Sequence, residues 1–251
     1  MCASGTGALA CATPMRNRSH SSFRREAEFR AEPHQLELGS TLLTAQPARA
    51  VRREELGPGC FVLHGMMSPK ECRGLVDAAQ WIGFTHAGLA IGDDVYRVNL
   101  AVRNNLRVVL DDRSLANGLW PRIEHAVDPR HEGAKVHGLN WRFRVYAYSV
   151  GQRYFPHYDV RMELGPGETR FSVVVFLNDD FDGGQTRFFE EKDKANRRGK
   201  GRGRKFDNRV RFAVRPPIGS AVVFDHHLLH EGAEVTRGVK YAVRTDLIYT
   251  A

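Results

Sequence analysis

The sequence predicts an α+β, mainly β fold: a double-stranded β-helix (jelly roll) core backed by N-terminal helices. Three observations carry this reading. From Trp141 onward, apolar and polar residues alternate with period two in short runs separated by turn residues. Helical spacing of apolar residues is confined to the part of the chain before about residue 130. No internal repeat divides the strands into blades or solenoid turns. A helical layer followed by many short strands is the pattern of a double sheet with helices packed on it.

Taken in order, residues 1–50 are rich in Ala, Ser, Arg and Glu without sustained periodicity and read as a disordered tail. The domain is expected over 51–251, with order beginning near Gly57-Pro58-Gly59 and a first strand at Cys60-Phe61-Val62-Leu63. Ser68, Pro69 and Glu71 then form a helix start with a capping box. Cys72, Leu75, Val76 and Ala79 make its apolar stripe, and Gly83 stops it. A second helix is expected over 114–127, interrupted or kinked at Pro121. The polar stretch between the helices, from Tyr96 to Asn105, is either a solvated loop or a substrate-side lip carrying Arg97, Arg103 and Asn104. Phe143, Val145 and Ala147 alternate with Arg142, Arg144, Tyr146 and Tyr148. Further strands are expected at 171–177, 186–189, 210–214, 220–224 and 239–249.

A chain of 251 residues, 42% of them hydrophobic, can bury a substantial core as one domain with appendages. No run approaches the roughly 18 apolar residues that span a bilayer, so no membrane partner is expected. Cys2, Cys11, Cys60 and Cys72 lack CxxC spacing and read as free thiols in a reducing, cytoplasmic setting. The alternative is organelle import, because Arg16, Arg18, Arg24 and Arg25 precede the first acid, Glu26. The net charge of +8 is concentrated locally: eleven Lys and Arg face only four Asp and Glu between Arg187 and Arg211.

The chemistry is signalled by His157 and Asp159. On an extended chain, side chains two apart leave by one face, so an imidazole nitrogen and a carboxylate oxygen converge. They are two thirds of the 2-His-1-carboxylate set that holds non-haem Fe(II). His226, His227 and His230 are the candidates for the third ligand. Beyond them, Lys240, Ala242, Arg244 and Asp246 share one face of a late strand. Two cations aimed into a barrel require an anion to meet them.

His157-x-Asp159, Leu177-Asn178-Asp179, Gly183-Gly184-Gln185-Thr186-Arg187-Phe188, Pro217-Ile218-Gly219-Ser220-Ala221-Val222-Val223-Phe224 and His230-Glu231-Gly232 followed by Lys240 occur in one order. This ordered set resembles the prolyl 4-hydroxylase-type branch of the 2-oxoglutarate/Fe(II)-dependent dioxygenases, from about residue 60 to the end. The resemblance implies a metal site of His157, Asp159 and His230. His230 is chosen because the family's basic clamp follows its last His ligand by nine or ten positions, which Lys240 satisfies, leaving His226 and His227 as flanking residues. It further implies that Lys240 binds the distal carboxylate of 2-oxoglutarate and that Thr186 lines the pocket. Tyr148 matches a tyrosine that hydrogen-bonds the cosubstrate, or is a half-buried strand aromatic. Arg244 departs from the neutral residue of animal relatives and is either a second cosubstrate contact or the partner of Asp246 or another acid.

The implied cofactors are Fe(II), 2-oxoglutarate and O2, with ascorbate as reductant. The implied reaction is hydroxylation of an aliphatic C–H, foremost a prolyl residue in a peptide or protein, with release of succinate and CO2. Asp159 favours hydroxylation, since halogenating relatives lack that carboxylate. A free amino acid or other small molecule is the first alternative substrate, and a nucleic-acid demethylase the second. The non-enzyme alternative is a catalytically silent jelly-roll binding module, which would have no need to keep all three ligands and Lys240.

The basic loop 190–209 interleaves glycine with cations and reads as extended and flexible. It is either a solvated loop or, through 197–205, a collar for an acidic partner. Nucleic acid is disfavoured because the run offers no stacking aromatic before Phe206.

Overall fold

A computed structural model describes residues 28–30, 32–44, 50–92, 95–165, 167–190 and 209–251. The expectations for residues 1–27 and for the basic segment 191–208 lie outside these residues. The chain forms β1 (Arg52–Gly57), β2 (Cys60–His64), α1 (Pro69–Ile82), β3 (Leu106–Asp111) and α2 (Arg113–Ile123). There follow β4 (Ala134–Leu139), β5 (Arg142–Tyr148), β6 (Tyr154–His157), β7 (Gly167–Phe176) and β8 (Thr186–Phe189). The last elements are β9 (Val210–Val214), β10 (Ala221–Asp225), β11 (His230–Gly232) and β12 (Lys240–Thr250).

Two sheets organise these strands. The large one runs β3-β5-β12-β7-β10-β2-β1, with β4 also paired to β12. The small one runs β6-β11-β8-β9. This mostly β architecture fits a jelly roll. β12, eleven residues long, is its spine, hydrogen-bonded antiparallel to β5 on one side and β7 on the other. Period-two alternation sorts its side chains. Val243 and Leu247 enter the core shared with Leu75 and Ala79 of α1 and Leu115 and Leu119 of α2. Lys240, Ala242 and Arg244 turn toward the small sheet, into a pocket that residues of both sheets line.

α1 begins as its capping box dictates: Ser68 Oγ accepts from the Glu71 N–H, and Glu71 Oε2 accepts from the Ser68 N–H at 2.7 Å. Gly83 closes it in the left-handed region at φ 97°, where a side chain would be strained. Glu71 does more than cap. It is buried, pairs with Arg122 of α2 at 2.9 Å, and accepts from the backbone N–H of Thr44 at 2.8 Å. α2 differs from its expected 114–127 span. Its cap is Asp112, whose carboxylate accepts from the Leu115 N–H, and it continues through Pro121 to Ile123 before a 3-10 turn at Glu124–Ala126. Ordered packing also begins before Gly57. Residues 38–42 form a short helix, Leu38 donates its N–H to Asp112, and Leu36, Leu38, Leu42 and Leu43 pack on the core. Composition did not reveal this because the leucines are few and gain their partners only from α1 and α2, far along the chain.

Candidate metal and cosubstrate site

The register between β6 and β11 sets His157 directly opposite His230, with ring centroids 4.3 Å apart. Asp159 follows two residues beyond the end of β6. Its Oδ1 lies 3.7 Å from His157 Nε2 and its Oδ2 lies 3.6 Å from His230 Nε2. One donor atom from each of the three side chains falls within 4.8 Å of the others. Both imidazoles are oriented from behind: His157 Nδ1 is 2.8 Å from the Phe155 carbonyl and His230 Nδ1 is 2.9 Å from the Leu228 carbonyl. A carbonyl accepts only, so each Nδ1 carries the proton and each Nε2 presents its lone pair to the cluster. Tyr154 stacks on His157 at 3.5 Å, and Phe224 packs against His230 at 4.4 Å. Two neutral imidazole nitrogens and a carboxylate match the donor set of a divalent iron site.

Electrostatics favour those protonation states. Burial, joined by repulsion from His230, pushes the His157 imidazole well below its usual range, and burial also lowers His230. Burial alone would raise Asp159, but Arg244 and the two histidines outweigh it and hold the carboxyl far below the ordinary carboxylate range. Arg244 Nη1 donates to Asp159 Oδ1, and Ser172 Oγ donates to Asp159 Oδ2 at 2.6 Å.

Lys240 reaches the pocket from the β12 side. It is only 4% exposed, and its Nζ donates to the Gly184 carbonyl at 2.7 Å. Its ammonium lies 4.4 Å from the Phe176 ring centroid and 5.4 Å from that of Tyr148. Among the described residues it pairs with no carboxylate. Burial, with a smaller contribution from Arg215, lowers its pKa to about 7. Gly184 adopts φ 63°, and a Cβ there would meet Lys240 Cδ at 3.1 Å, so glycine makes room for the lysine stem.

The remaining expected residues divide. Tyr148, Thr186 and Arg103 line the pocket. Arg244 lines it too, with its guanidinium bonded to Asp159 and to Asp246 Oδ1, at 2.8 Å from Nη2, the acid pairing that was one of its two expected roles. Arg97 and Asn104 do not line the pocket. Arg97 ends a strand paired to Leu89, and Asn104 Oδ1 accepts the Arg153 N–H at 2.8 Å, clipping its loop to the turn after β5. His226 is fully buried with Nε2 3.4 Å from Asp246 Oδ1, and exposed His227 faces Asp225. Neither joins the three-residue cluster. Ser172, Tyr146 and Tyr154 were not anticipated. Ser172 is paired with Asp246 across β7 and β12, a register that no short motif displays.

Residues 143–245 match the model of the 2OG-Fe(II) oxygenase superfamily, and the chain is a 2-oxoglutarate-dependent non-haem iron dioxygenase. Its fold is of the prolyl 4-hydroxylase type. A prolyl hydroxylase from Trichoplax adhaerens, solved with a hypoxia inducible factor oxygen degradation domain peptide fragment, superposes with TM-score 0.53 at 16% identity, covering 75% of this chain and 83% of that one. A Pseudomonas putida prolyl-4-hydroxylase gives TM-score 0.50 at 17% identity, covering 75% and 92%. No curated protein matches the chain in sequence.

Proposed function

We propose that this jelly roll, backed by its N-terminal helices, hydroxylates an aliphatic C–H of a prolyl residue in a peptide or protein, converting 2-oxoglutarate and O2 to succinate and CO2. One observation carries the reading: three convergent ligand atoms face, across a single pocket, a buried lysine that has no carboxylate partner among the described residues. His157, Asp159 and His230 would hold Fe(II), and the iron supplies the oxidising chemistry when bound. The chain's own groups do the rest. The Phe155 and Leu228 carbonyls fix the imidazole tautomers, and Arg244 with Ser172 keeps the carboxylate ionised and aimed. Lys240 would take the distal carboxylate of 2-oxoglutarate, with Thr186 and Tyr148 shaping the space around it. The peptide substrate is supported by the fold shared with the Trichoplax enzyme, whose structure contains a peptide fragment. The buried free thiols Cys60 and Cys72 suit the reducing cytoplasm we assign to it.

The test measures succinate from 2-oxoglutarate with Fe(II), with and without ascorbate, in wild type and His157→Ala. Proline-containing peptides and free amino acids are then screened for the mass gain of one oxygen atom. Metal-dependent succinate in the wild type alone is the expected result. Equal background rates in both proteins would remove the enzymatic assignment of these residues, and turnover of free amino acids alone would replace the peptide.

A further inference from the structure

Among the described residues, Arg103 is the second pocket cation without an acid, and it sits on the histidine side. The residue is 6% exposed, and its Nε donates to Asn105 Oδ1 at 2.8 Å. An isolated bridge pairs its backbone with Tyr154 on β6, the strand that carries His157. Its guanidinium carbon lies 4.3 Å from the Tyr154 ring centroid and 4.7 Å from that of Tyr146. These faces accommodate a cation without neutralising it. Among the described residues Nη2 is buried and has no hydrogen-bond partner, and the side chain lines the pocket with His157, Asp159 and His230. Arg107, likewise buried with an unpartnered Nη2, is close enough to add its charge.

The other charged residues of the pocket are matched. Arg244 holds Asp159 and Asp246, and Glu231 holds Arg187 at 3.3 Å. Lys240 and Arg103 remain. The reading proposed above, on which this inference rests, gives Lys240 the distal carboxylate of 2-oxoglutarate; the 2-oxo acid end would be left for the metal held by His157, Asp159 and His230. No acid is then left for Arg103 among the described residues: the Tyr146 and Tyr148 hydroxyls meet its guanidinium without neutralising it, and a buried cation with a free donor is costly to keep. Its planar fork suits a carboxylate.

We infer that Arg103 receives a carboxylate of the substrate being oxidised, so that the substrate is an acid whose carboxylate lies close to the reacting carbon. Two sources share that chemistry: a terminal carboxylate, and an Asp or Glu side chain beside the target residue. Arg103 is thus a specificity-determining residue.

The test loads the full chain with Mn(II) and 2-oxoglutarate under nitrogen and follows paramagnetic broadening of probe resonances by NMR. One pair of probes is N-acetylproline and N-acetylprolinamide. The other is a blocked Asp-Pro dipeptide and its Asn-Pro counterpart. The expected result is that at least one acid binds about ten-fold or more tightly than its amide, the scale of one charge-assisted hydrogen bond. Arg103→Gln should erase the difference, Arg103→Lys should restore part of it, and both variants should hold 2-oxoglutarate as the wild type does. The pair that discriminates identifies the source. Equal or absent broadening by acid and amide in both pairs overturns the inference. So does a raised 2-oxoglutarate requirement in Arg103→Gln, which would assign Arg103 to the cosubstrate. Failure of the function proposed above reads differently: the wild type would not bind Mn(II) and 2-oxoglutarate at all.

Discussion

Arg244 donates from Nη1 to Oδ1 of Asp159 at 2.5 Å, so the carboxylate proposed to bind metal is already held and charged by a cation four residues after Lys240. The same guanidinium bonds Asp246 through Nε and Nη2. Arg244→Leu should therefore leave Asp159 without a cation and Asp246 with only Arg144, at 3.3 Å, and destabilise the fold by about 3–5 kcal/mol. Arg244→Lys should recover only part, since one ammonium cannot replace a fork. Because Asp159 and Asp246 have folded pKa values below their unfolded ones, their contribution is complete above the ordinary carboxylate range and lost as pH falls. Urea titrations at pH 7 and pH 4 check both statements.

Metal binding should depend less on pH near neutrality than it would with ordinary imidazole ligands. Burial lowers both His157 and His230, so protons compete with a cation only below the usual imidazole range. Mn(II) should raise Tm in the wild type by mass action, and His230→Ala should lose that rise. Calorimetric titration across the pH range measures the dependence directly; a steep decline in affinity below pH 7 would contradict the neutral assignment.

Lys240 gives the opposite expectation for the cosubstrate. With its pKa lowered to about 7, the free protein loses the ammonium as pH rises past neutrality. A bound carboxylate raises that pKa, so 2-oxoglutarate affinity should fall by up to about ten-fold per pH unit above 7. The fold itself behaves inversely. The unfolded lysine binds a proton up to about pH 10.4, so the unfolded state carries more protons between 7 and that value, and stability rises with pH across this window. Lys240→Met should unfold at higher urea, by about 1–4 kcal/mol, while the 2-oxoglutarate requirement increases many-fold.

Glu71→Gln tests the scaffold apart from the site. Burial opposes the charged form, but bonds from Arg122, the Ser68 N–H and Thr44 overcome it and bring the pKa down to about 2. Removing the charge leaves Arg122 buried without its acid and should cost about 3–5 kcal/mol. The wild-type contribution is present above the unfolded carboxylate pKa and fades as pH falls toward 2. Equilibrium unfolding of wild type and variant measures it, and metal affinity should be unchanged in the folded variant.

What was legible in the chain was local. His157-x-Asp159, the interval from His230 to Lys240 and the α1 capping box each depend on residues close in sequence, and period-two alternation shows which side chains of β12 share a face. What was not legible depends on pairings between distant segments. Arg103 and Asn104 are neighbours in one polar loop, yet the bridge to Tyr154 turns the first into the pocket while Asn104 clips the turn after β5. Arg244 could be placed on the right face, but its choice of Asp159 needed the end of β6 to arrive beside β12.

The strand lengths divide the pocket into a firm wall and a yielding one. Lys240 and Arg244 stand on β12, whose eleven residues are laddered on both sides, so freeing them means dismantling the centre of the domain. His157 and His230 stand on strands of four and three residues. Amides of β6 and β11 can exchange through local opening while those of β12 wait for global unfolding. Motion in the pocket should therefore be greatest on the histidine side, while Lys240 and Arg244 stay held on β12, a contrast that hydrogen exchange measures.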